Sequence, residues 1–187
     1  MPSSRLDEGS IVRAALALAD DQGFAALSMR ALASRLGVQA ASLYYHVPSR
    51  DALEQLIVDS IAIPVIATGR TCTDAPALLR SVARTLRSSL REHPGAAMVV
   101  ATRQISAHVF EAAVPDILVA MQSGLAIPGE DALYLIQSLY VLVTGLALAE
   151  FGDAPEPPAA PPEFYDTWFD IAVATFLAGV AARYAPG

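Results

Sequence analysis

Apolar side chains recur three and four positions apart along nearly the whole chain, which is the spacing of one face of an α-helix. The first such run predicts a helix over about Gly9–Gln22. The same spacing predicts helices over about Met29–Leu36, Ala40–His46, Arg50–Ile63, Pro76–Arg91, Ile105–Ser123, Pro128–Phe151 and Glu163–Tyr184, with a short apolar helix after Gly95. No segment shows the two-residue alternation of a strand. The sequence therefore predicts an all-α fold.

Glycine and proline separate these helices. Gly37 follows the second helix, where the turn needs a residue that tolerates positive φ. Pro64 and Pro115 are expected to end or kink their helices, because proline lacks an amide N–H. Between Ala154 and Pro162, five of nine residues are proline. This density predicts a linker within residues 153–162.

The helix near residues 76–91 has an apolar face and an arginine face. Its apolar positions are Leu79, Val82, Ala83, Leu86 and Leu90. Its arginine positions are Arg80, Arg84, Arg87 and Arg91. We predict that the arginine face is exposed to solvent.

The composition favours self-association. Hydrophobic residues make up 54% of the chain and charged residues 17%, so a monomer would expose more apolar surface than is usual. The stretch Ala132–Ala149 has no charged residue and approaches the length of a bilayer span. Acidic residues flank it on both sides and polar residues interrupt it, so a helix buried at an oligomer interface is favoured over a membrane span.

The segment Leu27–Arg50 is typical of a helix-turn-helix. Its two short helices meet at a glycine turn, and an apolar set fills their inner faces: Leu32, Leu36, Val38, Leu43 and Val47. The outer face of the second helix presents groups that can hydrogen-bond base edges or phosphates: Gln39, Ser42, Tyr45 and His46. The sequence thus predicts a second helix that is held at a fixed angle and free to enter a DNA groove.

The charge distribution supports a local DNA contact. The chain has a net charge of −7, and its 12 basic residues are all arginine. A protein that coats nucleic acid would be basic, because nonspecific affinity comes from neutralising phosphates. Residues 22–50, however, contain Arg30, Arg35 and Arg50 and no acid. We interpret them as a cationic patch; the alternative is a helical protein-interaction module without DNA binding, whose hairpin has an ordinary polar outer face.

The sequence does not favour an enzyme. His46, His93 and His108 lie far apart without metal-ligand spacing, and Cys72 is the single cysteine, so no intramolecular disulfide can form. No glycine-rich phosphate loop is present. We therefore expect no catalysis, no metal and no cofactor. The first residues lack an apolar signal run, which with the single cysteine leads us to expect a cytoplasmic protein.

The stretch from Leu27 to Arg50, LSMRALASRLGVQAASLYYHVPSR, closely resembles the DNA-binding signature of the TetR family of repressors. The resemblance implies an N-terminal three-helix helix-turn-helix domain, residues 1–48, and a larger C-terminal helical domain, residues 49–187, for effector binding and dimerisation. It also implies DNA contacts by Ser28, Arg30, Gln39, Ala40, Ala41, Ser42, Tyr44, Tyr45, His46 and Arg50. Tyr44 has a competing structural role, because it could pack inward beside Leu43.

The C-terminal part resembles the regulatory domain of the tetracycline repressors within that family. The shared positions include His93-Pro94-Gly95-Ala96, Thr102-Arg103 and Thr144-Gly145. Ile66 and Val99 stand where those repressors use histidines to read a magnesium-chelated drug, and neither can ligate a metal. A more apolar effector is therefore expected. The predicted pocket residues are Ile61, Leu86, Met98, Val99, Arg103, Phe110, Val114, Leu118, Tyr134, Ser138 and Val141.

The resemblance finally implies a homodimer that binds double-stranded operator DNA and is released from it by a small molecule. The helices over 128–151 and 163–184 are expected to pair with their copies as a four-helix bundle. The helix over 50–63 is the expected mechanical link, since it runs from the DNA-reading unit to the pocket. In this scheme Pro64 is a candidate hinge.

Overall fold

The structure is a computed structural model that describes residues 6–125, 127–152 and 158–184. Within these residues it contains helices and no β-strand. The α-helices are α1 (Glu8–Gln22), α2 (Met29–Leu36), α3 (Ala40–His46), α4 (Arg50–Ala67), α5 (Ala75–Glu92), α6 (Ala97–Thr102), α7 (Ala107–Gln122), α8 (Gly129–Phe151) and α9 (Pro162–Tyr184). The all-α prediction is confirmed. Residues 153–157 of the predicted linker lie outside the described residues.

Short polar side chains fix the starts of the N-terminal helices. The Asp7 carboxylate accepts a hydrogen bond from the Ser10 amide at 2.7 Å, and the Asp7 amide donates to Ser10 Oγ at 3.1 Å, which together form a capping box. The amide of Ser10 holds the pKa of Asp7 below its ordinary value. Ser28 caps α2, and Gly37 ends it with φ of 67°. The bounds predicted for α2 and α3 are confirmed.

The two internal prolines do not end their helices. Helix α4 continues past Pro64 to Ala67, so the predicted end near Ile63 is wrong. Helix α7 likewise contains Pro115 and continues to Gln122. Packing on both sides of each proline keeps the helix formed, because Val65 and Ile117 are both buried beyond it.

One hydrophobic core runs through the described fold. It begins with α1 and the two short helices, continues along α4 and α5, and ends on one face of α9. Its fully buried large side chains include Leu43 of α3, Leu53 of α4 and Leu86 of α5. Each such side chain contributes roughly 1.5–3 kcal/mol by leaving water. The helix-turn-helix segment is therefore packed on the rest of the protein.

The arginine face of α5 is not wholly exposed, contrary to prediction. Arg87 is 11% exposed at its side chain and donates from Nε and Nη2 to Glu150 at 3.0 and 2.9 Å. Arg91 donates to Glu150 and also to Asp166, at 2.9 and 2.6 Å. Arg80 and Arg84 are exposed. Arg87 and Arg91 thus join α5 to α8 and α9, because those helices place the carboxylates of Glu150 and Asp166 opposite the two arginines.

Two helical segments are long and apolar enough to cross a membrane by length and composition, Arg50–Arg70 and Gly129–Phe151. In the fold, α4 packs on α1, α5, α6 and α7, and α8 packs on α5, α6, α7 and α9. The apolar windows of the two segments are 44% and 28% buried. Both therefore serve as core helices, and α8 keeps an apolar face open.

Candidate functional site

Helix α3 stands on the surface with its polar face outward. Leu43 within it and Val47 directly after it are fully buried and attach it to the core. Tyr45, on the opposite side, is 85% exposed. Gln39 occupies the N-cap position, yet its side chain makes no capping hydrogen bond. The amide of Gln39 and the phenol of Tyr45 are therefore available to a partner.

The predicted DNA-contacting residues share this surface. Those that are exposed are Arg30, Gln39, Ala40, Ala41, Ser42, Tyr44, Tyr45 and Arg50. Ser28 and His46 are half-buried. Ser28 Oγ accepts a hydrogen bond from the Ala31 amide at 3.1 Å, so the Ser28 hydroxyl also caps α2. Tyr44 is 48% exposed and does not pack into the core.

The cationic patch is partly neutralised in the folded chain, which the sequence did not show. Arg35 pairs with Asp21 at 2.8 Å, and Arg50 pairs with Glu54 at 2.7 Å. These acids lie just outside the acid-free stretch and fold back against it. Arg30 makes no ion pair with any residue that the structure describes. Among the residues that the structure describes, this surface offers one free cation, Arg30, and two cations, Arg35 and Arg50, that must exchange a carboxylate for a phosphate.

Helix α1 is clamped to the larger domain at its carboxyl end. The Asp20 carboxylate accepts a hydrogen bond from the Gly95 amide at 2.9 Å and lies 3.0 Å from His93 Nδ1. Gly95 belongs to a 3₁₀ turn, Pro94–Ala96, that touches the α1 backbone. A Cβ on Gly95 would overlap the Ala19 carbonyl group. Glycine at this position permits a backbone contact that any side chain would prevent.

A cavity of about 510 Å³ lies between α4, α5, α7, α8 and the connection that follows α6. Its wall is mainly apolar, as small-molecule sites usually are. The lining residues are Ala62, Val65, Ile66, Gly69, Leu78, Val82, Ala101, Thr102, Arg103, Gln104, Ile105, Ala107, Phe110, Ile117, Ile136, Gln137, Tyr140, Val141 and Thr144. Arg103 is the one charged side chain among these described residues.

Three of the predicted pocket residues line this cavity, namely Arg103, Phe110 and Val141. Leu86 and Val99 lie in the core instead, and Val114 and Leu118 are half-buried on α7. Met98, Tyr134 and Ser138 are exposed. Ile61 borders a second cavity, of about 530 Å³, between α1, α4, α5 and α7. The predicted residues lie on or directly after helices that surround the cavity or neighbour it, but helical spacing alone does not tell which turn faces a cavity.

Helical spacing did not predict Tyr140 as a pocket residue, although it holds two walls of the cavity together. Its hydroxyl donates to the Val100 carbonyl of α6 at 2.8 Å. Burial raises the pKa of Tyr140 to about 12, so the hydroxyl stays protonated at neutral pH. The residue is therefore a fixed part of the wall.

A row of polar contacts joins α4 to residues 103–106, and we call it the α4 seam. Arg103 Nη2 lies 2.6 Å from Asp51 and 2.7 Å from Glu54. Gln55 Nε2 donates to the Gln104 carbonyl at 3.1 Å. Asp51, Gln55 and the buried Asp59 recur every four residues, a polar stripe on an otherwise apolar helix that the sequence could have revealed.

Asp59 completes the α4 seam at the start of α7. Its carboxylate accepts hydrogen bonds from the Ser106 amide at 2.9 Å and the Ser106 hydroxyl at 2.6 Å. Hydrogen bonding to Asp51 holds the pKa of Arg103 above its ordinary value, so the guanidinium stays charged. Arg103 and Gln104 line the cavity and also contact α4. This part of the cavity wall is thus in direct contact with α4, the helix that follows the helix-turn-helix.

No group of three or more histidine, cysteine, aspartate or glutamate side chains in the described ranges is placed to hold a metal ion. Ile66 lines the cavity, and Val99 is buried in the core.

The second helix of a helix-turn-helix stands on the surface, and a larger helical domain with an apolar cavity supports it. These features define a helix-turn-helix protein with a second helical domain. Residues 11–55 match the family described as bacterial regulatory proteins, tetR family. The helix-turn-helix segment is therefore that of the TetR family of bacterial regulators.

Curated relatives agree with this assignment. An HTH-type transcriptional regulator of Saccharopolyspora erythraea is 36% identical over 105 residues, which are 54% of this chain and 43% of the relative. The class A tetracycline repressor from transposon 1721 of Escherichia coli is 28% identical over 153 residues, which are 79% of this chain and 68% of the repressor. The chain thus spans less than half of the first relative and about two thirds of the second.

Solved structures show the same fold over nearly the whole chain. A TetR variant from Acinetobacter baumannii AYE in complex with minocycline superposes with a TM-score of 0.79 at 21% identity, covering 97% of this chain and 100% of that one. BioQ with its double-stranded DNA operator superposes with a TM-score of 0.65 at 24% identity, covering 93% and 99%.

Proposed function

We propose that this protein is a homodimeric repressor that binds operator DNA through α3 and leaves it when a small, mainly apolar effector fills the cavity. The observation that carries the proposal is the exposed polar face of α3, fixed by the buried Leu43. We divide the chain functionally into residues 1–48, which read DNA, and residues 49–187, which bind the effector and dimerise. A cytoplasmic location without membrane contact follows from this role.

The DNA-reading role is supported by surface chemistry. Gln39, Ser42 and Tyr45 are exposed hydrogen-bonding groups within a single helix and its cap, and Ala40 and Ala41 beside them allow close approach. Arg30 adds a free cation on the neighbouring helix. BioQ, which has a similar fold, has been solved with its double-stranded DNA operator. We therefore expect this surface to bind DNA.

The test is selection of bound duplexes from a random pool, followed by affinity measurements on variants. Tyr45→Ala is expected to weaken binding to the selected duplex about tenfold or more, since a base-edge or phosphate contact is lost. Arg30→Gln should reduce the slope of log affinity against log salt by about 1. Arg84→Gln, at an exposed arginine of α5, is the control and should change neither. If Tyr45→Ala and Arg30→Gln both bind as the parent does, α3 does not read DNA.

Dimerisation is supported by the apolar surface that one chain leaves open. On α9, Phe164, Trp168 and Ile171 are exposed and recur at four and three residues, so they form one stripe. On α8, Tyr134 and Val141 are exposed and two turns apart. An exposed apolar surface on two adjacent helices is what a paired helical interface would cover.

Ile171→Glu is expected to convert the dimer to monomer at micromolar concentration, because a charge would be buried in the apolar interface. Ile171 is 61% exposed in one chain, so the substitution should leave the fold of the protomer intact. Sedimentation equilibrium gives the mass. The control is Val119→Glu, since Val119 is equally exposed but lies on α7. A parent protein that sediments as a monomer would exclude the proposed interface.

Effector control is supported by the position of the cavity. Its wall includes residues 103–105, which the α4 seam joins to the helix that follows α3. Two recognition helices of a dimer reach successive major grooves when they lie roughly 34 Å apart. An effector that alters the seam would change this spacing. To shift DNA-competent protein from 99% to 1%, it must prefer the released state by about 5.5 kcal/mol.

A further inference from the structure

Arg103 faces the effector cavity and the DNA-reading unit at once. It is the charged member of the cavity wall among the described residues, and its side chain is 28% exposed. Both of its ion pairs use Nη2, toward Asp51 and Glu54 in the first turns of α4. Nε and Nη1 have no partner among the residues that the structure describes, so the guanidinium can accept a further anion.

Glu54 extends this contact to the predicted DNA surface. One of its oxygens, Oε2, lies 2.7 Å from Arg103, and the other, Oε1, accepts from Arg50 Nε at 2.7 Å. Glu54 is 13% exposed at its side chain, so its charge is poorly screened by water. The four groups Arg50, Asp51, Glu54 and Arg103 together are electrically neutral. Their balance depends on Arg103, because it serves both acids.

A bound anion would disturb that balance. A carboxylate that pairs with Arg103 would bring the charge of the group to −1 and would compete with Asp51 and Glu54 for the same guanidinium. Glu54 would then be balanced by Arg50 alone, which would hold Arg50 away from a phosphate. The added negative charge would also repel the DNA backbone.

We propose that the effector is an amphiphilic organic anion, whose apolar body fills the cavity and whose carboxylate or similar group takes Arg103 from Asp51 and Glu54. This inference rests on the proposed function, and it names the chemical class of the effector and the contact through which it acts. The rest of the wall contributes uncharged groups, so a neutral molecule would lack the contact that disturbs α4. A cation would be repelled by Arg103.

The first test compares two probes of equal length, decanoate and decan-1-ol, by isothermal titration calorimetry with the full chain at pH 7.5. Decanoate should bind about tenfold or more tightly than decan-1-ol, because a charge-assisted hydrogen bond forms with Arg103. With the duplex obtained by selection, decanoate should weaken DNA binding and decan-1-ol should not. Equal affinity of the two probes, tighter binding of decan-1-ol, or no binding of either would overturn the proposal.

Variants test the competition itself. In Arg103→Gln, the affinity for decanoate should fall to that for decan-1-ol. In the double variant Asp51→Asn, Glu54→Gln, it should rise about fivefold, since the competing acids are gone, while that for decan-1-ol stays the same. A merely structural role of Arg103 would not produce these opposite changes. Arg84→Gln is the matched control for the loss of one arginine.

The two levels of the proposal can fail separately. Circular dichroism shows whether each variant is folded, and the calorimetric comparison needs no DNA. If no duplex is selected but decanoate is preferred through Arg103, the proposed DNA function is wrong and the anion site stands. If a duplex is selected but the preference for decanoate is unchanged in Arg103→Gln, the anion site is wrong and the regulator stands.

Discussion

Replacing Glu150 by alanine is expected to lower the free energy of unfolding by about 3 kcal/mol, because it leaves the buried Arg87 without its main partner. Glu150 is 7% exposed and binds both Arg87 and Arg91. Asp166 remains near Arg87 at 2.9 Å but is half exposed, so it compensates only in part. Denaturant unfolding followed by circular dichroism at a fixed protein concentration measures the change.

The matched control for Glu150→Ala is Asp116→Asn, which breaks an exposed ion pair. Arg70 and Asp116 are 71% and 42% exposed at their side chains, and such pairs contribute about 0–1 kcal/mol. A double variant, Arg87→Met with Glu150→Leu, should recover part of the lost stability, since no buried charge is then left unpaired. A Glu150→Ala protein as stable as Asp116→Asn would show that this buried cluster does not hold α5, α8 and α9 together.

The second large effect is expected from Gly95→Ala. The new Cβ would lie 2.7 Å from the Asp20 amide nitrogen and would overlap the Ala19 carbonyl group. Both obstacles are backbone atoms, so no side-chain rotation can relieve them and α1 must move away. We expect a loss of about 3 kcal/mol in stability and weaker binding to the selected duplex, because α1 supports α2 and α3. Unfolding and DNA titrations measure the two effects.

Gly69→Ala is the control for Gly95→Ala. A Cβ at Gly69 would meet the Asp116 Cβ at 3.6 Å, an ordinary contact, so its stability should change by less than about 1 kcal/mol. If Gly95→Ala is as stable as Gly69→Ala and binds DNA as the parent does, the clamp between α1 and the turn Pro94–Ala96 is not needed for either property.

The helices of the helix-turn-helix could be predicted closely because their signals are local. Ser28 caps α2, Gly37 adopts φ of 67°, and Leu43 faces the core, and each of these follows from residue type and helical spacing. The bounds of α2 and α3 were therefore correct to the residue. The net charge of this surface was not predicted correctly, because Asp21 and Glu54 reach it from outside the segment.

The cavity could be predicted only in outline. Phe110 and Val141 line the cavity, but helical spacing also assigned Leu86 and Val99 to it, and both pack in the core. An apolar residue satisfies a core position and a cavity position equally well, since both remove it from water. The crossing of helices decides between them, and crossing angles are not encoded in the period of a single helix.

The sequence by itself determined the all-α class and the two short helices of the helix-turn-helix, because backbone capping and amphipathic spacing act between residues a few positions apart. Only the tertiary structure decided which distant groups pair: Arg87 with Glu150, the Asp20 carboxylate with the Gly95 amide, and Arg103 with Asp51 and Glu54. These partners lie about fifty or more residues apart in sequence. An ion pair depends on atoms within about 4 Å in space, which no local pattern specifies.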